Sequence, residues 1–200
     1  MELMRAFNPV NIPLPNGDFS KIIARIENSS KISIEIGCGV GLHPIQFATA
    51  NKDHLVIAIE RTNERSRKAI KNVKDSKCDN LIFIHADAIN WITHFVKPST
   101  ISQYFILYPN PYPKEKQANK RFVNMPFMAY LIETLLPSGK ITIASNINTY
   151  CEEALNTMVE TWHLNIIENI QIVETSVPRT HFEKKYLERG ESCQNLIFSK

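Results

Sequence analysis

The sequence predicts an α/β fold: one mostly parallel β-sheet with helices on both faces. Three observations carry this reading. Short apolar runs rich in β-branched residues alternate with longer stretches of helical period, and a glycine-rich turn follows the first of those runs. The chain of 200 residues, 44% of them hydrophobic, is enough for one well-filled core and too little for two.

Taken in order, residues 1–30 carry Pro9, Pro13, Pro15 and Gly17 and read as an irregular arm leading into a short helix, part of the same domain as residues 31–200. Strands are expected at 32–36, 55–59, 81–85, 104–108 and 140–144, apolar throughout as strands covered on both faces must be. Helices are expected between them at 42–50, 62–75, 88–95 and 119–136, the last stopped by Pro137-Ser138-Gly139. A further helix at 149–162 precedes two apolar runs, 166–173 and 195–198. With little room for a helix between them, these two read as an antiparallel pair closing the sheet. No internal repeat or low-complexity tract interrupts the pattern.

Composition narrows the function classes. No apolar run approaches the roughly 20 residues of a membrane helix, and residues 1–15 lack the basic start and apolar core of a signal peptide, so the expected location is the cytoplasm. Cys38, Cys78, Cys151 and Cys193 are far apart, with no CxxC and no histidines at metal-ligand spacing, so they read as reduced packing residues and no metal is expected. The net charge of +3 says little, but its distribution is uneven. Residues 61–77 hold seven basic side chains against Glu64 and Asp75, a local +5, and residues 112–124 hold four against Glu115, a local +3. Arg61, Arg65 and Lys68 fall at i, i+4 and i+7, one stripe of a helix, for which a solvated face is the plain alternative to a binding face. Lys114, Lys116, Lys120 and Arg121, interleaved with Tyr112 and Phe122, have the composition of phosphate contacts.

The chemistry concentrates at the ends of the strands. Gly37, Gly39 and Gly41 follow the first strand and precede a helix, so a ligand can lie against bare backbone at the carboxyl edge of the sheet. The spacing is G-x-G-x-G, not the G-x-G-x-x-G of dinucleotide sites, and Glu35 stands inside the strand just before it. A carboxylate repels a pyrophosphate and attracts a sulfonium or an amino group, so the sign of the charge points to S-adenosylmethionine. Glu60 ends the second strand, where a carboxylate can accept from ribose hydroxyls, with Arg61 beside it. Asp87-Ala88 end the third, where Asp87 can meet the adenine amino group or simply cap the next helix. After the fourth strand, Pro109, Pro111 and Pro113 stiffen a loop that presents Asn110, Tyr112 and Lys114. Histidine 85 reads as a core residue, His181 as a surface residue, and Trp91 and Trp162 as packing.

These residues resemble a family. Glu35 to Gly41, Ile59-Glu60, Asp87-Ala88, Pro109 to Lys114 with Lys120-Arg121, Ser145-Asn146 and Thr180-His181-Phe182-Glu183 follow in the order of the motifs of bacterial tRNA (guanine-N7-)-methyltransferases, and the last continues through Lys185, Tyr186 and Gly190. The resemblance implies a Rossmann-like class I methyltransferase fold with seven strands and an antiparallel C-terminal hairpin. It further implies S-adenosyl-L-methionine as cofactor and a structured RNA, tRNA first, as partner in tRNA processing. It gives cofactor binding to Glu35, Glu60, Asp87 and Asn110, and contact with the RNA or its base to Lys114, Asn146 and Thr180 to Glu183. Asn110 also stands where the family's catalytic-site aspartate would be, Asn146 replaces a second aspartate, and Tyr112 replaces a tryptophan. A carboxylate would stabilise the positive charge that develops on a guanine methylated at N7, whereas an asparagine supplies only a dipole. Methylation of an exocyclic amine, a protein or a small molecule therefore stays open, as does a non-catalytic relative that binds cofactor or RNA. A monomer and a homodimer fit equally.

Overall fold

The computed structural model of the chain describes residues 6–174 and 176–200. Seven strands, β1 (Ile32–Ile36), β2 (Leu55–Glu60), β3 (Leu81–His85), β4 (Ile101–Leu107), β5 (Leu135–Ser145), β6 (Asn165–Ile172) and β7 (Cys193–Ser199), form one sheet in the order β3-β2-β1-β4-β5-β7-β6. The first five run parallel, and β7 is antiparallel to both β5 and β6. Strand order reverses between β1 and β4, which opens a crevice at their carboxyl ends.

Every residue of β2 is buried, because helices cover both faces of a parallel sheet. Alternation then sends its side chains to two cores. Ile57 and Ile59 pack with Ile34, Trp91, Phe127 and Met128, while Val56 and Ala58 pack with Ala48, Cys38 and Cys78. Helix α1 (Ser20–Glu27) is the short helix expected after the arm, and α2 (Leu42–Ala50), α3 (Asn63–Ser76) and α4 (Ala88–Phe95) fall where the apolar period placed them. All four cysteines are free and buried, as packing residues are.

Three segments depart from the sequence reading. The long helix expected at 119–136 is only α5 (Phe127–Thr134), preceded by short 3-10 turns at Glu115–Lys120 and Phe122–Asn124. Pro126 sits at its N-cap and has no N–H to continue a helix from upstream, while Met125 before it is extended (ψ 138°). Pro137-Ser138-Gly139 does not stop that helix. The chain has already entered β5 at Leu135, and the pairing jumps from Ile101–Leu135 to Gln103–Lys140, so the segment bulges from the sheet. A Cβ on Gly139 would lie 2.9 Å from the Leu136 carbonyl oxygen, which is why the bulge carries a glycine. Helix α6 (Asn148–Asn156) continues as one π turn, Thr157–Thr161.

The third departure bears on function. Between β6 and β7 there is room for a helix, α7 (His181–Leu187). Thr180 is its N-cap and its Oγ1 accepts from the Glu183 N–H at 2.9 Å. Thr180-x-x-Glu183 has the spacing of a capping box and was legible as a helix start. Here the Glu183 carboxylate reaches one residue further, to the Arg179 N–H at 2.8 Å.

Candidate cofactor and acceptor site

The strand ends surround a cleft of about 320 Å³. Its floor is the glycine turn after β1. Gly37, Gly39 and Gly41 all have positive φ, at 75°, 61° and 87°. No atom lies within 4 Å of the place a Cβ would take on Gly37 or Gly39, so side chains there would fill the space left for a ligand. Gly41 serves packing instead, with Val73 and Ala69 of α3 against it. The turn is fixed by Gly37 N–H and Cys38 N–H, which both donate to the Ile59 carbonyl.

Glu60 is buried at the end of β2. Its Oε1 accepts from the Thr62 N–H (2.8 Å) and hydroxyl (2.6 Å), and its Oε2 from the Gly39 N–H (3.0 Å). A carboxylate has about four acceptor positions, so one remains free, on Oε2, and the residue lines the cleft. Asp87 is the helix cap that the sequence allowed, and it also borders the cleft. Its Oδ1 caps α4 through the Ile89 and Asn90 N–H groups, and the residue lines the cleft with Ala88 beside it. Arg61, with an exposed side chain, lies 3.4 Å from Asp87 Oδ2 at the rim.

Glu35 lies on the other side of the turn. It lines a smaller cleft of about 60 Å³ with Cys38, Gly39, His43, Thr180, His181 and Phe182. The two clefts meet at Gly37, Arg65 and Leu107. Glu35 is not an open carboxylate: its Oε2 is 2.7 Å from His43 Nδ1, and both residues are buried. His43, which packs edge-on to Phe105, is a lining residue that the sequence reading did not single out. Burial, with Glu35 and Glu60 nearby, pushes the Cys38 thiol well up, so it stays a neutral packing group.

The opposite wall is the chain leaving β4. Tyr108 has φ 53° and Tyr112 φ 41°, both in the region that bulky residues avoid. Asn110 is exposed and closes a turn, its Oδ1 accepting from the Tyr112 N–H at 3.1 Å. Asn110, Tyr112 and Lys120 face the cleft with Phe122 and Met125. Lys114 is exposed and lies outside the lining.

Four expectations change around the site. Arg121 is not a free cation for phosphate: its Nη1 donates to both carboxylate oxygens of Glu153 at 2.8 Å, its Nε donates to the Tyr112 carbonyl, and its side chain is 13% exposed. Glu183 has no exposed surface and so touches no substrate directly. It accepts from Arg179 and from the Tyr108 hydroxyl, and although burial opposes the charge, these donors hold its carboxyl below the ordinary range. Asn146, at the end of β5, donates to Glu191 Oε2 at 2.8 Å and lines neither cleft. His85 is exposed, not in the core, with its Nε2 3.1 Å from the Arg61 carbonyl oxygen.

The basic stripe also shifts. Arg61 precedes α3, Lys68 pairs with Glu64 at 3.2 Å, and the Arg65 guanidinium lies 5.2 Å over the Phe182 ring. Arg67, Lys68, Lys71 and Lys74 are all exposed on α3, with Glu64 and Asp75 among them. Among the described residues no cluster could hold a metal and no helix is long and apolar enough to cross a membrane.

The reversal of strand order beside β1, the antiparallel β7, and the glycine turn with acids on the next two strand tips define a class I S-adenosylmethionine-dependent methyltransferase. The solved structures that resemble it show the same fold. A 16S rRNA methyltransferase, KamB, superposes with TM-score 0.64 at 13% identity over 92% of this chain and 94% of that one. The 16S rRNA (adenine(1408)-N(1))-methyltransferase of Catenulisporales acidiphilia, solved with its cosubstrate S-adenosylmethionine, gives 0.62 at 12% identity over 92% of each chain. The chain belongs to the family described as "Putative methyltransferase", whose model matches residues 29–196. Its curated relatives include the tRNA (guanine-N(7)-)-methyltransferases of Mycoplasma pneumoniae, 29% identical over 89% of this chain and 88% of the relative, and of Nitrosospira multiformis, 26% identical over 84% and 73%.

Proposed function

We propose that this methyltransferase modifies N7 of a guanine in tRNA, in the cytoplasm. The observation that carries the reading is the chemistry of the cleft's two walls. Its carboxylates, Glu60 and Asp87, stand at the β2 and β3 tips, while the β4 wall offers the Asn110 amide, the Tyr112 phenol and Lys120, with no carboxylate or histidine. Guanine N7 is a lone pair and needs no deprotonation, so an acceptor of that kind suits a wall without a base. The names of the curated relatives favour the same substrate.

The residues present fit the cofactor. Glu60 keeps one acceptor position that would suit a ribose hydroxyl, Asp87 on the next strand tip would accept from the adenine amino group, and the bare backbone at Gly37 and Gly39 leaves room beside them. Glu35, with its Oε2 taken by His43, would offer its other oxygen to the amino-acid end through the smaller cleft. Bound there, S-adenosylmethionine supplies a methyl group on a positively charged sulfur. On the acceptor side Tyr112 offers a ring face and Lys120 a charge for the backbone, while Lys114 and Arg61 extend the positive rim. Asn110 uses its Oδ1 to close its own turn. That takes one of the two acceptor positions of the oxygen an exocyclic amine would need.

The test is transfer of a labelled methyl group to unmodified bulk tRNA followed by nucleoside analysis. Label should appear as 7-methylguanosine. Label on another nucleoside, or none on RNA, would overturn the reading.

A further inference from the structure

We propose that Tyr108 is a positioning residue for the methyl acceptor: its hydroxyl, donated to the buried Glu183, ties the end of β4 to α7 and so sets the loop 109–113 against Thr180. The inference rests on the reading above, that the β4 wall receives the acceptor.

Tyr108 is held from both sides. Its backbone N–H donates to the Ala144 carbonyl at 2.8 Å, continuing the ladder between β4 and β5. Its φ of 53° then turns the chain sharply into Pro109. For a bulky residue that conformation is strained and persists only where its surroundings enforce it. The ring leans on Tyr186 of α7 at 5.8 Å between centroids, and the hydroxyl reaches Glu183 Oε2. Burial, with the neighbouring thiol of Cys193 and carboxylate of Glu183, keeps the phenol protonated and therefore a donor.

Glu183 is a fixed anchor for this bond. It is fully buried and also accepts from the Arg179 N–H (2.8 Å), Nε (3.1 Å) and Nη2 (2.8 Å). Arg179 Nη1 donates to Asn195 Oδ1 at 2.8 Å, and Asn195 Nδ2 to Glu168 Oε1 at 2.9 Å. A continuous polar chain therefore runs from β4 through the start of α7 to β7 and β6. One end of its first link is at the site and the other is buried behind it: Tyr108 lines the main cleft, while Glu183 lines neither cleft but sits on the turn of α7 whose Thr180, His181 and Phe182 line the smaller one. The link therefore joins the wall that carries Tyr108 to the turn that carries Thr180 and Phe182.

Tyr108→Phe removes one oxygen and leaves the ring packing and the Arg179–Glu183 pair in place. The expected result is a fall of about 10-fold or more in kcat at saturating RNA, as a loosened acceptor geometry gives. The dissociation constant of S-adenosylmethionine should stay unchanged, and amide exchange should speed up across 108–114. Glu183→Gln, which keeps an acceptor for the hydroxyl, should retain more of kcat than Tyr108→Phe. Unchanged exchange in the loop, an unchanged kcat, or a loss confined to cofactor binding would each overturn the assignment. If the wild-type protein labels no tRNA, the substrate reading fails by itself, and the exchange measurement still decides the role of Tyr108.

Discussion

The β1–β3 edge and the β4–α7 edge of this site are built by opposite means. At the first, the functional side chains are held chiefly by near neighbours in sequence: Glu60 by Thr62, Asp87 by Ile89 and Asn90, Glu35 by His43, with the Gly39 N–H on Glu60 as the longer reach. At the second, the holding contacts reach across the chain. Tyr108 is fixed by Glu183, Arg121 by Glu153 and Asn146 by Glu191. A local motif can be read as a site with few ways to go wrong. A motif whose polar groups find distant partners can spend its charges on the scaffold, as Arg121 and Glu183 do.

That contrast can be broken at several points. The largest effect is expected at Gly37. Gly37→Val places a β-branched residue at φ 75° and puts its side chain into the cleft, so cofactor affinity should fall by about 100-fold or more with the acceptor wall untouched. Binding titration against the wild type checks this, and a fall of only a few-fold would show that the ligand does not lie on the turn.

Next comes Arg121→Ala. It leaves Glu153 without its bidentate partner and frees the Tyr112 carbonyl, so it should cost about 2 kcal/mol of stability, less than a fully buried pair because both groups keep some solvent. Denaturant unfolding measures that, and a variant with native stability but weaker RNA binding would restore Arg121 to the phosphate contacts.

A smaller effect is expected in acid. Because the Glu183 carboxyl is held below its ordinary value, its contribution is complete above about pH 4.5 and is lost as pH falls through the lowered folded value. Melting temperature followed downward from pH 6 should therefore drop less steeply in Tyr108→Phe than in the wild type. Parallel profiles would mean that the hydroxyl does not help hold the carboxylate charged.

Smallest is Lys120→Ala, which should weaken RNA binding a few-fold and lower the slope of log affinity against log salt by about 0.7–0.9 if one phosphate contact is lost. An unchanged slope would remove Lys120 from the RNA face.

Much of this molecule is legible in its sequence, for identifiable reasons. Buried parallel strands announce themselves as apolar runs, and the bounds of α2 and α4 follow from a period bracketed by Gly41 before one and Asp87 before the other. Glycines with an acid on each following strand tip carry the cofactor side. What escaped depended on competition between roles. Thr180-x-x-Glu183 is a binding motif by resemblance and a helix cap by geometry, and taking the first reading hid α7. Pro137-Ser138-Gly139 looks like a stop but sits in a bulge whose register only the neighbouring strand defines. Tyr108 looked like the last residue of a strand. Only its partner 75 positions away gives it a second task.

The account depends most on the carboxylate at the end of β2. Calorimetric titration of S-adenosylmethionine into the wild type, Glu60→Ala and Lys120→Ala tests it directly. The prediction is one site per chain in the wild type, unchanged affinity in Lys120→Ala, and about 10- to 100-fold weaker binding in Glu60→Ala, the loss expected for a hydrogen bond to a charged group. Equal binding by Glu60→Ala and the wild type would contradict it.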